Sequence, residues 1–113
     1  MKRHQRLRDR DRFWQVRREG RSWAHPLVVL SALPNDLAYS RFGFTASRHV
    51  GNAVSRNRAR RLMREAVRLN MQRSDMGWDM VFIARSAIIG STLQEVTAAC
   101  CALLRRAGMW RQE

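Results

Sequence analysis

Apolar residues recur along this chain with two different periods, and the changes of period mark out its elements. Phe13 and Val16, three apart, predict a first helix that Asp9 or Asp11 caps and that runs to Glu19, with Gly20 placed as a left-handed C-terminal residue. Trp23 to Leu33, centred on Leu-Val-Val-Leu, reads as a strand with Pro26 at its start or on an edge. Pro34, Asn35 and Asp36 are turn chemistry. Tyr39 to Ser47 then alternates. Phe42, Phe44 and Ala46 point one way, while Arg41, Gly43 and Thr45 point the other, a pattern that predicts antiparallel pairing with one face open to something polar. A loop from His49 to Val54 leads into a helix starting near Ser55 and lasting to about Asn70, with Ala59, Leu62, Met63 and Ala66 as its core stripe. Trp78 to Arg85 is apolar on both faces, as a central strand is. Thr92 and Glu95 have capping-box spacing ahead of a stripe of Leu93, Val96, Cys100, Leu103, Leu104 and Ala107, which Gly108 closes. The order is α-β-β-α-β-α with room for a further strand between residues 23 and 47. An α+β sandwich, helices over one sheet, is the fold expected. Neither repeats nor a low-complexity linker interrupt it. A single domain over residues 1–113 is expected, loosely ordered at 1–6 and 109–113.

Charge changes the picture. Lys and Arg number 22 against 9 Asp and Glu, for a net +13. A folded domain with this excess points to a polyanionic partner, most often nucleic acid. All but Lys2 of the basic residues are arginine, which forks onto phosphate and stacks on bases where lysine does neither; an arginine-rich genome gives the same bias. Hydrophobic residues at 45% argue for a packed core rather than disorder. The N-terminal Met-Lys-Arg-His stretch is followed by no apolar segment, and Leu27 to Leu33 is too short to span a bilayer. Cys100 and Cys101 are neighbours, unsuited to bridging each other and without zinc-ligand spacing. A reduced, cytoplasmic setting without membrane attachment is expected.

The charge concentrates on the helix after residue 52. Between Ser47 and Arg68 stand seven arginines and one acid, Glu65. Arg56, Arg60, Arg64 and Arg68 are four apart and stack along one face, Arg61 flanks them, and Arg56 and Arg58 sit at the positive end of the helix dipole. A solvated face mixes signs; this one does not. Several local rules broken together mark a functional surface, and a phosphate backbone resolves the conflict. Asn57 suits either a base edge or a helix cap. No catalytic apparatus is visible: His4, His25 and His49 are scattered, Ser47 has no evident base, and neither a Gly-rich phosphate loop nor a metal motif occurs.

The run Gly-Asn-Ala-Val-Ser-Arg-Asn-Arg-Ala-Arg-Arg-Leu-Met-Arg-Glu at residues 51–65, preceded by Arg-Phe-Gly-Phe-Thr-Ala-Ser-Arg-His-Val, resembles the signature of the bacterial ribonuclease P protein subunit. The early Arg6 to Phe13 stretch and Trp78 to Arg85 extend the resemblance over most of the chain. It implies a compact two-layer α/β sandwich with a left-handed β-α-β crossover, against the general right-handed rule. It implies binding to the catalytic RNA of ribonuclease P and to the 5′ leader of precursor tRNA. The Mg²⁺ ions and the chemistry would belong to the RNA, with no cofactor on the protein. Carried over by position, Arg56, Asn57, Arg58, Arg60, Arg61 and Arg64, with Arg68 on the same row, face the catalytic RNA. Phe13, Arg17, Ser47 and Arg48 fall in the leader cleft, where Phe13 is either a stacking aromatic or plain core. Arg17 replaces a second cleft aromatic of some relatives, and Trp14 beside it points elsewhere on a helix. His49 stands where lysine is common. Three other readings share some of these features: a ribosomal or general RNA-binding protein without a processing role, a DNA-binding domain, and a stand-alone nuclease. A DNA-reading helix would need a partner helix before it, and here a loop and a strand come first.

Overall fold

Pro26 interrupts the apolar run that begins at Trp23, and the chain turns back on itself there. In the computed structural model, which describes residues 1–70 and 74–110, the single strand expected from Trp23 to Leu33 is therefore two. These are β1 (Arg21–Ala24) and β2 (Val28–Pro34), paired antiparallel with Trp23 opposite Leu30. Proline has no N–H to give a ladder, so it sits in the turn, and the His25 amide closes the turn onto the Val28 carbonyl at 2.9 Å. The further strand allowed for between residues 23 and 47 is this one, and His25 belongs to the turn rather than to a strand entry.

The remaining elements follow the periodicity. Helix α1 (Arg10–Glu19) is capped by Asp9, whose carboxylate accepts from the Asp11 and Arg12 amides. Strand β3 is Arg41–Ala46, helix α2 is Ala53–Leu69 with Asn52 as its cap, β4 is Trp78–Ala84, and α3 is Leu93–Arg106 behind the Thr92–Glu95 capping box. Gly108 follows α3 with φ 74°. Gly20 is different from expectation: its φ of −73° is ordinary extended backbone. It is glycine because a Cβ there would lie 2.4 Å from the Val16 carbonyl oxygen and 2.6 Å from that of Ala32. Steric closeness of α1 to β2, not a left-handed turn, selects the residue.

The sheet has the order β1-β2-β4-β3. Strand β4 is central, as its two apolar faces foretold. Strand β3 lies parallel to β4, with Phe42 beside Met80 and Phe44 beside Phe82. Its alternation alone had predicted antiparallel pairing. The crossover through α2 returns the chain to the end from which it started, so β3 and β4 run the same way. One sheet face carries Leu30, Phe42, Met80 and Phe82 into the main core, where Met63, Ala66, Leu103 and Leu104 of α2 and α3 cover them. The opposite face carries Val81 against Leu7 and Val16, so α1 covers part of it. The rest of that face stays half-open around Thr45 and Ile83. The N-terminal segment lies along the free edge of β3, where the Leu7 amide donates to the Phe42 carbonyl at 2.8 Å. At the other end Met109 is buried and Trp110 bridges Ser74; residues 111–113, within the stretch expected to be loosely ordered, lie outside the described residues.

One polar cluster fixes α1 to the sheet. Asp79 of β4 is fully buried, and its carboxylate accepts from Arg12 Nε of α1 at 2.7 Å, from Arg41 Nε and Nη2 of β3 at 2.8 and 2.7 Å, and from Asn35 Nδ2 at 2.9 Å. Arg12 also donates to the Pro34 carbonyl at 2.7 Å. Burial by itself raises the pKa of Asp79. The hydrogen bonds from Arg41, Asn35 and Arg12 outweigh it and hold the carboxyl below its usual range. The stability this depression contributes is full above the ordinary carboxylate pKa and is lost as pH falls through the lower folded value. Replacing Asp79 with Ala leaves two arginines facing an empty acceptor site and is expected to cost about 3 kcal/mol. Urea unfolding at a series of pH values checks both points: the variant should be weaker at neutral pH and lose less than the parent on acidification.

Candidate nucleic-acid interface

Helix α2 keeps one narrow face for the core. Ala59, Met63, Ala66 and Val67 are buried, and Arg60, Arg61 and Arg64 stand between them with Leu62 and Glu65. Asn52 accepts from the Ser55 amide at 2.9 Å, so the capping role left open for Asn57 belongs to Asn52. Asn57, one turn further in and exposed, accepts instead from the Arg60 guanidinium. Arg58 leans off the helix and donates to the Ser91 carbonyl at 2.7 Å. Arg68 takes Glu65 as a two-point partner, at 2.9 Å through Nε and 2.6 Å through Nη2. Hydrogen bonding from Arg68 lowers the Glu65 pKa, and the same contact raises that of Arg68. Glu65 thus serves Arg68. Arg56, Arg61 and Arg64 have no hydrogen-bond or ion-pair partner among the described residues. Three cations on one helix with no counter-charge among the described residues form a face suited to an anion from outside.

On the reverse side of the sheet a cavity of about 510 Å³ opens between α1 and the uncovered strands. Arg8, Arg10, Phe13, Trp14, Arg17, Thr45 and Ser47 line it. Three of the four residues carried over to a cleft, Phe13, Arg17 and Ser47, meet there. The fourth, Arg48, is the exposed next residue, outside the lining, in a short 3-10 turn that the Ser47 hydroxyl caps through the His49 amide at 3.3 Å. Phe13 packs against the sheet and also faces the cavity. Its ring packs on Gly43, where a Cβ would come within 2.8 Å of Cε2, and it also lines the cavity. Gly43 is therefore the flat floor that lets an aromatic lie against the sheet.

Trp14 corrects the sequence reading. It lines the same cavity as Phe13, and the Arg17 guanidinium lies 5.1 Å from its ring centre. Neighbours on a helix diverge by about 100°, but a cavity this wide spans both directions. Asp79, the residue that positions α1, was also missed. Its signal was present: an acid inside an otherwise apolar central strand must be paired.

A second, smaller cavity of about 200 Å³ lies over the β3 edge, lined by Arg6, Leu7, Arg8, Phe42, Gly43, Phe44 and Arg64. Arg8 borders both cavities and Arg64 belongs to α2. Arginine residues therefore border the surface from the cleft beside α1, around the sheet edge, to Arg64 of α2. Among the described residues no three His, Cys, Asp or Glu side chains are grouped to hold a metal ion. Cys100 is buried in α3, and burial pushes its thiol pKa up to about 12, which makes it a packing residue rather than a nucleophile.

Known proteins match this chain over most of its length. The sequence model of the Ribonuclease P family matches residues 1–108. The ribonuclease P protein component of Roseiflexus castenholzii is 46% identical over 110 residues, covering 96% of this chain and 90% of that protein. The structure of the RNase P protein from Thermotoga maritima superimposes with a TM-score of 0.81 at 31% identity, over 89% of this chain and 96% of that one. The Staphylococcus aureus RNase P protein shares the fold, with a TM-score of 0.84 at 24% identity over 95% and 98% of the two chains.

The two kinds of arginine on α2 should separate in stability. Arg58→Ala removes the bond to the Ser91 carbonyl and is expected to cost about 1 kcal/mol. Arg61→Ala, with no partner to lose among the described residues, should stay within about 0.5 kcal/mol of the parent. Equilibrium urea unfolding of the two variants distinguishes them.

Proposed function

The chain belongs to the ribonuclease P protein family, and from that membership we propose that it binds two RNAs at once: α2 lies on the catalytic RNA, and the cleft beside α1 receives the 5′ leader of precursor tRNA. Its place in the cell is as the accessory protein of a ribonucleoprotein endoribonuclease in tRNA processing. The hydrolytic chemistry is assigned to the RNA and its Mg²⁺ ions, and the protein's part is electrostatic and geometric. We assign it to the cytoplasm, where precursor tRNA is processed; no helix among the described residues is long and apolar enough to cross a membrane.

The observation that carries this assignment is the junction at Arg8. A surface made only of α2 would serve one RNA. A cleft alone would serve one strand. Arg8 borders the cavity of Phe13, Trp14 and Ser47 and also the one that reaches Arg64, so cationic groups continue from one surface to the other. Guanidinium groups spaced along such a path match phosphates along a backbone, each releasing a condensed counter-ion on binding. Arg56, Asn57, Arg58, Arg60, Arg61, Arg64 and Arg68 make the catalytic-RNA side. Phe13, Arg17, Ser47 and Arg48 make the leader side, where a single strand offers base faces for aromatic stacking. A ribosomal or general RNA-binding protein shares the charge but has no reason to distinguish precursors by their leaders.

Reconstitution tests this. With a bacterial ribonuclease P RNA at low Mg²⁺, the protein should stimulate 5′ processing of a precursor tRNA, and Arg60→Ala with Arg64→Ala should lose most of that stimulation. If about eight phosphates are contacted, the affinity for RNA should fall with a log–log salt slope of roughly −6. No stimulation, or a slope near −1, contradicts the proposal.

A further inference from the structure

We propose that Trp14 is a base-stacking residue for the single-stranded RNA in the cleft, with Arg17 holding its ring in position; the inference rests on the leader-binding role proposed above. Among the described Phe, Tyr and Trp side chains Trp14 is the one more than half exposed, at 52%. An indole gains most when it is buried, and this one is left on the surface of a helix whose buried face is already supplied by Val16. Phe13 next to it is explained by the fold, because its ring fills the space above Gly43. Trp14 fills no such space. Its exposed surface instead lines the cavity of about 510 Å³ that Thr45 and Ser47 border from the sheet side.

Arg17 completes the device. One helical turn beyond Trp14, its guanidinium lies 5.1 Å from the ring centre, within cation–π range. A guanidinium stacked on a ring keeps its in-plane N–H groups free, so the same side chain can fork onto a phosphate. Arg8 and Arg10 border the same cavity. The ligand chemistry that fits is therefore an unpaired nucleotide, its base on the indole and its phosphates among the arginines. A duplex keeps its bases stacked inside and would offer only phosphates.

The test compares the affinity of the reconstituted holoenzyme for a leader-bearing precursor with its affinity for the same tRNA without a leader. The parent should prefer the precursor. Trp14→Ala should reduce that preference by about tenfold, the usual size of one stacked base. Trp14→Phe should retain most of it, since a smaller ring still stacks. The melting temperature of Trp14→Ala should not fall. If the parent prefers the leader and Trp14→Ala prefers it equally, or if Trp14→Ala weakens both RNAs alike, the proposal for Trp14 is overturned while the cleft assignment stands. If the parent itself shows no preference, the cleft assignment falls and Trp14 falls with it.

Discussion

A carboxylate inside a β-sheet has no water to solvate it and stays ionised only where donors replace that water. Asp79 meets this condition with four hydrogen bonds from three side chains, and each donor comes from a different part of the chain: Arg12 from α1, Arg41 from β3 and Asn35 from the turn after β2. The helix that forms one wall of the cleft is thereby tied to the strands that form its floor. The apolar contacts of α1 are few, chiefly Val16 and Phe13 against Leu7, Leu33, Val81 and Ile83. Such a small patch resists lateral movement weakly, whereas a directional cluster has one geometry. The distance from Phe13 and Trp14 to Thr45 and Ser47 is set in this way.

The same reasoning explains how so cationic a chain keeps a single fold. Arginines near the structural centre are given acceptors by the protein: Asp79 for Arg12 and Arg41, and the Ser91 carbonyl for Arg58. Arg56, Arg61 and Arg64 receive none among the described residues. The division is spatial as well as chemical. Another element supplies an acceptor to Arg12, Arg41 and Arg58, while on the outer row of α2 Arg60 and Arg68 take Asn57 and Glu65 of their own helix and Arg56 and Arg64 take none among the described residues. A surface left electrostatically incomplete is one that a polyanion laid against it would stabilise.

Much of the fold was legible because helices and strands write their periods into the apolar positions. The capping box at Thr92 and Glu95, the two-faced strand at Trp78–Ala84 and the core stripe of α2 are local patterns, and the structure has them where the pattern puts them. The hairpin around Pro26 was hidden because an apolar run reads alike whether it passes straight through a sheet or folds back. Strand direction was misread at β3 because alternation reports which faces are polar, not which neighbour pairs. Gly20 was misassigned because glycine serves both left-handed turns and close backbone approaches, and only the 2.4 Å distance to the Val16 carbonyl distinguishes them. Among candidate site residues, those on α2 stand out in the sequence as a repeat of arginine every four positions. Trp14 depends on elements far apart in sequence, and although an acid within β4 signals that Asp79 has a partner, no local pattern names Arg12, 67 residues away, as that partner.

On the function proposed here, one protein holds two distinct RNA surfaces, α2 and the α1 cleft, at a fixed relation. A photo-reactive group placed by cysteine substitution at Arg61, and separately at Arg17, in the reconstituted complex tests it directly. The expected result is that the group on α2 cross-links to the catalytic RNA while the group beside the cleft cross-links to the 5′ leader. If α2 yields no RNA product, or if both positions mark the same RNA segment, the two-surface account is contradicted.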